Sequence, residues 1–406
     1  MSHEYWKLWW SQLVNQFGNG FYIMAVSWIV YQLKGSSLVL GDLFFIYTIA
    51  LAVARVLFSP LADKFDRKKL MIWLDLSRSI IISLPAALVY LRCFSVWELY
   101  IIFVVVGILG TPYVSSRGAL IRELVNSDSM NKANAWMQGA TESMYLIGPT
   151  VAGIFIARFG GAIALLMDGL TFLFSSILIS FICLHRPVSA TQPKMRESYW
   201  SALITGLNVL MKDRILLNLT IFSTAVIIAD TPFMVLVVPY VTHVVHGDAG
   251  VVGLLQGALS GGVLVVSIII GKFGGFRRKV WTWGSVPLFC AATICMAFAP
   301  NMFWAILLQI VAGISTGLFD IRSITMFQSL VRNELLGRTL MINNALSSLA
   351  SALCAMLAGI IAAKIGVALT FLVFGLIGGS ISAVVLVKFH RIAGSAQMKE
   401  RLSADD

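Results

Sequence analysis

Runs of about 18 to 25 residues with almost no charge recur along this sequence, and they leave it few folds to adopt. A helix of that length crosses the roughly 30 Å of hydrocarbon in a bilayer. Lipid offers backbone groups no partners, so helices that close their own hydrogen bonds are favoured there. The runs lie near residues 8–32, 38–60, 70–91, 98–118, 134–157 and 161–184, then 215–240, 249–272, 280–299, 302–325, 340–363 and 367–388. Stretches such as 86–89 and 101–108 are apolar on every side, unlike the alternating strands of a membrane β-barrel. With 58% of its 406 residues hydrophobic and 12% charged, the chain carries more apolar surface than a water-soluble fold can bury. The expected fold is an all-α membrane protein of twelve transmembrane helices.

A net charge of +11 raises the question of a nucleic-acid partner, which the placement of the charges answers. With both termini on the inner side, 22 of the 30 Lys and Arg residues fall in cytoplasmic loops and helix ends, among them Lys64, Arg67, Lys68, Lys69, Arg277, Arg278 and Lys279. The outer loops hold four: Lys34, Arg92, Arg158 and Lys364. Arg55, Arg78, Arg117 and Arg322 lie within spans. This positive-inside asymmetry accounts for the basic balance and predicts cytoplasmic termini, with no basic patch left for nucleic acid. Met1 to Lys7 is too short and polar for a cleavable leader, so the first span is expected to remain in the protein. The five cysteines lack metal-type spacing or a paired framework, and no metal or other cofactor is expected. His243 and His246 are three residues apart in an outer loop without a third ligand.

The sequence also repeats itself. Residues 206 apart match at Gly107-Ile108 and Gly313-Ile314, at Leu124-Val125 and Leu330-Val331, at Ala152-Gly153-Ile154 and Ala358-Gly359-Ile360, and at Gly160 and Gly366. A second register pairs Phe65, Arg67 and Lys68 with Phe276, Arg278 and Lys279. Matched regions keep the same side of the membrane, so the repeat is parallel: two six-helix bundles. The expected division is an N-terminal bundle at 1–184, a cytoplasmic linker at 185–214 with Pro187, Pro193 and a surface helix from Trp200, a C-terminal bundle at 215–390, and a tail at 391–406.

Between spans two and three stands Ser59-Pro60-Leu61-Ala62-Asp63-Lys64-Phe65-Asp66-Arg67-Lys68-Lys69. This short acidic-then-basic loop resembles the inter-helix signature of the major facilitator superfamily. Ser59 and Asp66 stand where glycines are usual, which is similar to the macrolide-efflux and siderophore-export subgroup. Arg117 to Val125, Lys132-Ala133-Asn134-Ala135, Gly148-Pro149-x-x-Ala152-Gly153 and Leu336-Gly337-Arg338 resemble the same subgroup. The resemblance implies the two-bundle fold and a conformational-switch loop in which Asp63 pairs with Arg67 or with a helix N-terminus. That switch group comprises Asp63, Arg67 and Lys68, with Asp75, Arg78 and Arg117 as gate or packing charges. Gly148, Pro149 and Gly153 form either an export-type packing element or ordinary close helix packing with a proline kink. The counterpart at 271–279 lacks the acidic residue, so any charge switch is expected to be stronger in the N-terminal half.

Ionisable residues inside spans are functional candidates by default, because each costs roughly 2.5–3.5 kcal/mol at the centre. At 1.5 Å per residue, Asp320 lies about 27 Å from the outer end of its span, and Arg117 lies as deep in its own, so both are near the inner surface. Asp75 and Arg78 begin span three. Glu142 is about 12 Å from the inner end of span five, and Asp230 about 22 Å into span seven. Pro232 should open the helix beside Asp230. Glu142 and Asp230 are therefore the proton-coupling candidates, with structural pairing as the alternative. Asp42 and Asp168, near outer helix ends where solvation is cheaper, are weaker ones. Asn15, Asn19, Tyr22, Tyr145 and Phe233 are candidates to line the substrate cavity, or to serve as interhelical contacts.

The functional expectation, resting on the resemblance, is a secondary transporter. It would export a hydrophobic or amphipathic small molecule, drug-like, macrolide-like or siderophore-like, in exchange for protons, by alternating access. Uptake by the same fold, or a non-transporting sensor or scaffold, are the alternatives. No phosphate-binding G-x-x-x-x-G-K-[ST] loop is present to support an ATP-driven pump, and no catalytic motif points to an enzyme. The expected setting is the bacterial cytoplasmic membrane, and the expected partners are substrate, protons and lipid around a monomer.

Overall fold

The computed structural model of the chain describes residues 2–58, 65–90, 96–126, 129–183, 199–273, 280–331 and 333–393. Among them there is no strand. The helices of the first part are α1 (His3–Lys34), α2 (Ser37–Phe58), α3 (Arg67–Tyr90), α4 (Val96–Leu124), α5 (Met130–Phe159) and α6 (Gly161–Ser180). A 14-residue helix, α7 (Tyr199–Lys212), follows. Then come α8 (Arg214–Tyr240), α9 (Ala249–Phe273), α10 (Val280–Met296), α11 (Met302–Leu330), α12 (Asn333–Ile365) and α13 (Val367–Ala393). Each expected span coincides with one helix, and α7 stands where the surface helix from Trp200 was expected. Among the described residues nine helices are long and apolar enough to cross a membrane by length and composition. The remaining expected spans fall on α1, α3 and the shorter α10. Asp63, Pro187, Pro193, residues 274–279 and the tail from 394 lie outside the described residues.

Helix ends follow local chemistry. Ser2 caps α1 by accepting from the Tyr5 amide at 3.2 Å, and Gly35, left-handed at φ 58°, closes it by donating to the Tyr31 carbonyl. The repeat has a physical basis at Gly160 and Gly366, whose φ angles of 81° and 90° are ones that side chains resist. Gly160 donates to the Ile156 carbonyl and accepts from the Ala164 amide; Gly366 donates to the Ala362 carbonyl and accepts from the Thr370 amide. Every partner in the second set lies 206 residues beyond its match in the first. A left-handed glycine thus reverses the chain between the last two helices of each bundle.

Asp213 caps α8, accepting from the amides of Ile215 and Leu216. Pro232 and Pro239 sit inside α8, which runs without interruption to Tyr240. The expected opening at Pro232 is therefore a correction. Proline removes one backbone bond, but the flanking turns hold the helix, and the Thr231 hydroxyl bonds back to the Ile227 carbonyl at 2.7 Å. Pro239 precedes a π-turn at Val241–Val245.

The described residues divide into two compact units, those within 1–196 and 246–257, and those within 197–245 and 258–406. In the first, α6 packs against both α1 and α3, and α1 also packs on α5. Its apolar core gathers Tyr5, Leu8, Met71, Leu120, Met137 and Ile179. In the second, α8 packs on α13 and α12, and α10 on α11. Phe222, Trp283, Phe289, Phe319 and Phe327 fill that core.

Candidate transport site

The first unit contains a buried polar network that the sequence did not display as one feature. Asp75 on α3 is fully buried. Its Oδ1 accepts from Asn15 Nδ2 of α1 at 3.1 Å and from Arg78 Nη2 one turn along α3. Its Oδ2 accepts from Ser175 Oγ of α6 at 2.7 Å, and Ser175 meets Ser11 of α1 at 3.2 Å. The Arg78 guanidinium lies 4.6 Å from the Tyr113 ring centroid and 4.2 Å from that of Phe172. Cation–π contact and the ion pair together hold a charge that lipid would not accept. Asp75 and Arg78, expected near the membrane surface, stand roughly 12 and 16 Å into α3 and join α1, α3 and α6.

Asp168 on α6 is also fully buried, which corrects its expected solvation near a helix end. Distance along the axis misjudged it because burial here depends on the face of α6 it occupies, toward α1 and α3. Thr171 Oγ1 is 3.4 Å from its Oδ1, while its Oδ2 has no hydrogen-bond partner among the described residues. Gly18 of α1 makes the room: a Cβ there would overlap Thr171 and Asp168 Oδ1. Gly18 carried no signal in the sequence, since its role depends on what faces it.

The proposed cavity residues separate. Asn15 is buried in the Asp75 network. Asn19 is half-buried and donates to Gln16 Oε1 at 2.5 Å. Tyr22 is buried and donates to the Ile102 carbonyl at 3.2 Å. Tyr145 is exposed. Glu142, placed inside a span by the sequence, is exposed and accepts from Gln138 Nε2 at 2.7 Å. In the second unit Asp230 borders a cavity of about 10 Å³ with Phe233, Phe289, Thr293, Gln309 and Phe371. Gln309 is 3% exposed and its Oε1 has no partner among the described residues. A wider recess of about 590 Å³ lies between α8 and α13, with Arg214, Asn218 and Ser380 among apolar side chains.

Of the switch group, Arg67 forms an ion pair with Glu123 at the end of α4. Lys68 donates to the Ser180 carbonyl at 2.8 Å, and Asp66 Oδ1 accepts from the Lys69 amide, starting α3. Arg117 is half-buried and Arg55 exposed. Glu123, the partner the sequence did not name, lies 56 residues from Arg67.

Helix α5 packs through its glycines. A Cβ on Gly20 of α1 would lie 2.8 Å from the Gly148 carbonyl carbon. A Cβ on Gly153 would lie 2.5 Å from the Ala249 carbonyl oxygen and 2.8 Å from the Gly253 Cα. Thr150 Oγ1 donates to the Leu146 carbonyl and lies 3.3 Å from that of Gly253.

The model of the Major Facilitator Superfamily matches residues 8–236 and 221–401. The chain belongs to this superfamily. Two curated members lie near it along most of its length. Macrolide efflux protein A of Streptococcus pyogenes is 20% identical over 375 residues, 92% of each chain. Multidrug efflux pump Tap of Mycolicibacterium fortuitum is 23% identical over 369 residues, 88% of this chain and 89% of that one. Among solved structures, the nucleoside transporter NupG superposes with a TM-score of 0.68 at 12% identity, covering 96% of this chain and 99% of that one. This likeness fixes the major facilitator fold. The protein is thus a multi-pass membrane transporter and not an enzyme.

Proposed function

We propose that this major facilitator protein exports a hydrophobic or amphipathic small molecule, of macrolide or multidrug type, in exchange for protons. The observation carrying this reading is α5. Its Gly148 packs on α1 and its Gly153 on the start of α9 with backbone-to-backbone closeness, in a chain similar along nine-tenths of its length to macrolide and multidrug efflux proteins. Such contacts let helices slide or rock without side chains interlocking, which suits alternating access. In this proposal the protein is a monomer in the bacterial cytoplasmic membrane with both termini inside. Its bundles are 1–184 and 215–390, joined by the linker at 185–214. Asp63, Arg67, Lys68, Asp75, Arg78 and Arg117 control the change of state, and Asn19, Tyr22, Tyr145 and Phe233 contribute to the substrate path. Asp230 beside its cavity, with Glu142, is where the sequence places proton exchange.

The test is transport by purified protein in liposomes. Ethidium and radiolabelled erythromycin should move against an imposed proton gradient and stop when a protonophore collapses it. Movement of either compound unaffected by the protonophore would remove proton exchange from the proposal, and accumulation in the opposite direction would remove export.

A further inference from the structure

We propose that Asp168 is a proton-binding site of this transporter, and that its loss of the proton draws Arg78 away from Asp75. The inference deepens the proton-exchange reading and rests on it for its role in transport. Among the described residues, three charged groups at least 97% buried share the interior of the first unit: Asp75, Arg78 and Asp168. Ionised together they sum to one net negative charge in a low-dielectric setting, an arrangement that several kcal/mol of desolvation oppose. One proton on the spare carboxylate restores neutrality. Asp75 is the engaged carboxylate, with Asn15, Arg78 and Ser175 as donors. Asp168 is the spare one, its Oδ2 unpartnered among the described residues.

The other side of the arrangement is equally incomplete. Arg78 spends an Nη2 proton on Asp75, while its Nε has no acceptor among the described residues. A guanidinium has five donors in a planar fork and can serve two carboxylates. The groups facing Asp168 are few. From α3 they are Asp75 and Arg78, and from α1 it is Tyr22, all within electrostatic range of it. The titratable groups of α5, which are Lys132, Glu142, Tyr145 and Arg158, are exposed. When the proton leaves, the O–H electron pair stays on the carboxylate and the new charge competes for Arg78. A guanidinium drawn off Asp75 weakens the junction that Asn15 and Ser175 make across α1, α3 and α6. Proton binding then becomes a change in helix packing.

Infrared difference spectroscopy of the full-length protein in liposomes, between acid and alkaline pH, reads the carboxylic-acid carbonyl band directly. One component of the titrating band should be present in the native protein, absent in Asp168→Asn and retained in Asp75→Asn. A band unchanged in Asp168→Asn, or loss of that component only in Asp75→Asn, overturns the assignment. Ethidium transport supplies the second arm. Asp168→Asn should lose gradient-driven efflux yet keep ethidium–ethidium exchange at equal concentrations, and Asp168→Glu should recover part of the driven component. Gradient-driven efflux intact in Asp168→Asn overturns the coupling role. A native band that titrates as expected, in a protein whose efflux ignores the proton gradient, supports the site while defeating the exchange reading.

Discussion

Gly153 and Gly253 approach so closely that a Cβ on Gly253 would lie 2.6 Å from the Pro149 carbonyl oxygen and 3.0 Å from the Gly153 Cα. Backbone atoms, which cannot rotate away, form both sides of this contact.

Gly153→Val should therefore force α5 and the start of α9 apart. Overpacking of this kind costs about 1–3 kcal/mol. Thermal unfolding followed by tryptophan fluorescence in detergent should show a lower midpoint. Gly153→Ala should fall between the native protein and Gly153→Val, and ethidium efflux should decline in the same order. An unchanged midpoint in Gly153→Val would mean that the helices do not meet here.

The Arg67–Glu123 pair joins the N-terminus of α3 to the C-terminal end of α4, with about a fifth of each side chain exposed. Partly exposed ion pairs contribute about 0–1 kcal/mol. A double-mutant cycle of Arg67→Ala and Glu123→Ala should give a coupling in that range that shrinks in high salt. The charge-reversed double variant Arg67→Glu with Glu123→Arg should recover efflux that either reversal alone loses. Additive single effects would contradict the pairing.

Removing one member of the Asp75–Arg78 pair leaves an uncompensated buried charge, a loss of about 3–5 kcal/mol. Arg78→Ala should thus destabilise more than Asp75→Asn combined with Arg78→Gln, which leaves the interior with fewer charges. Unfolding midpoints of the two proteins, compared in one detergent, decide it. A double variant less stable than Arg78→Ala would show that neutrality does not govern this interior.

Glu4, ahead of the first membrane span, accepts from Lys7 at 2.9 Å and from the Cys183 amide at 2.6 Å. The Lys7 ammonium, and next the Cys183 amide, hold its carboxyl below the ordinary value of 4.5. A lowered folded value means that Glu4 stabilises the fold above the ordinary value and ceases to do so as pH falls through the folded one. Below pH 4.5 the native protein should lose thermal stability more steeply than Glu4→Gln, whose amide has no acidic titration. Parallel pH profiles would refute the contribution of this carboxylate.

The helices were legible because the pattern that marks them, uninterrupted apolar length, is a one-dimensional property. The chain reversals at Gly160 and Gly366 were legible through the repeat, since both need the same backbone conformation. Asp168 was misjudged because position along a helix says nothing of rotation about it. Gly18 and Glu123 were missed for a related reason: each acquires its role from a residue far away in sequence, Asp168 in one case and Arg67 in the other. Pro232 misled in the opposite direction, since the missing bond is a local fact while the continuity of α8 is set by the turns on either side.

The spacing of Asp75 and Arg78 within α3 bears on how the protein is made. Partners three residues apart meet as soon as one helical turn forms, so α3 can leave the ribosome and enter the bilayer with its two charges already matched. Asp168 emerges some ninety residues later on a helix with no basic residue of its own. It must enter the lipid carrying a proton, or reach Arg78 before it does; only by the second route does α6 depend during synthesis on a neighbour inserted three helices earlier.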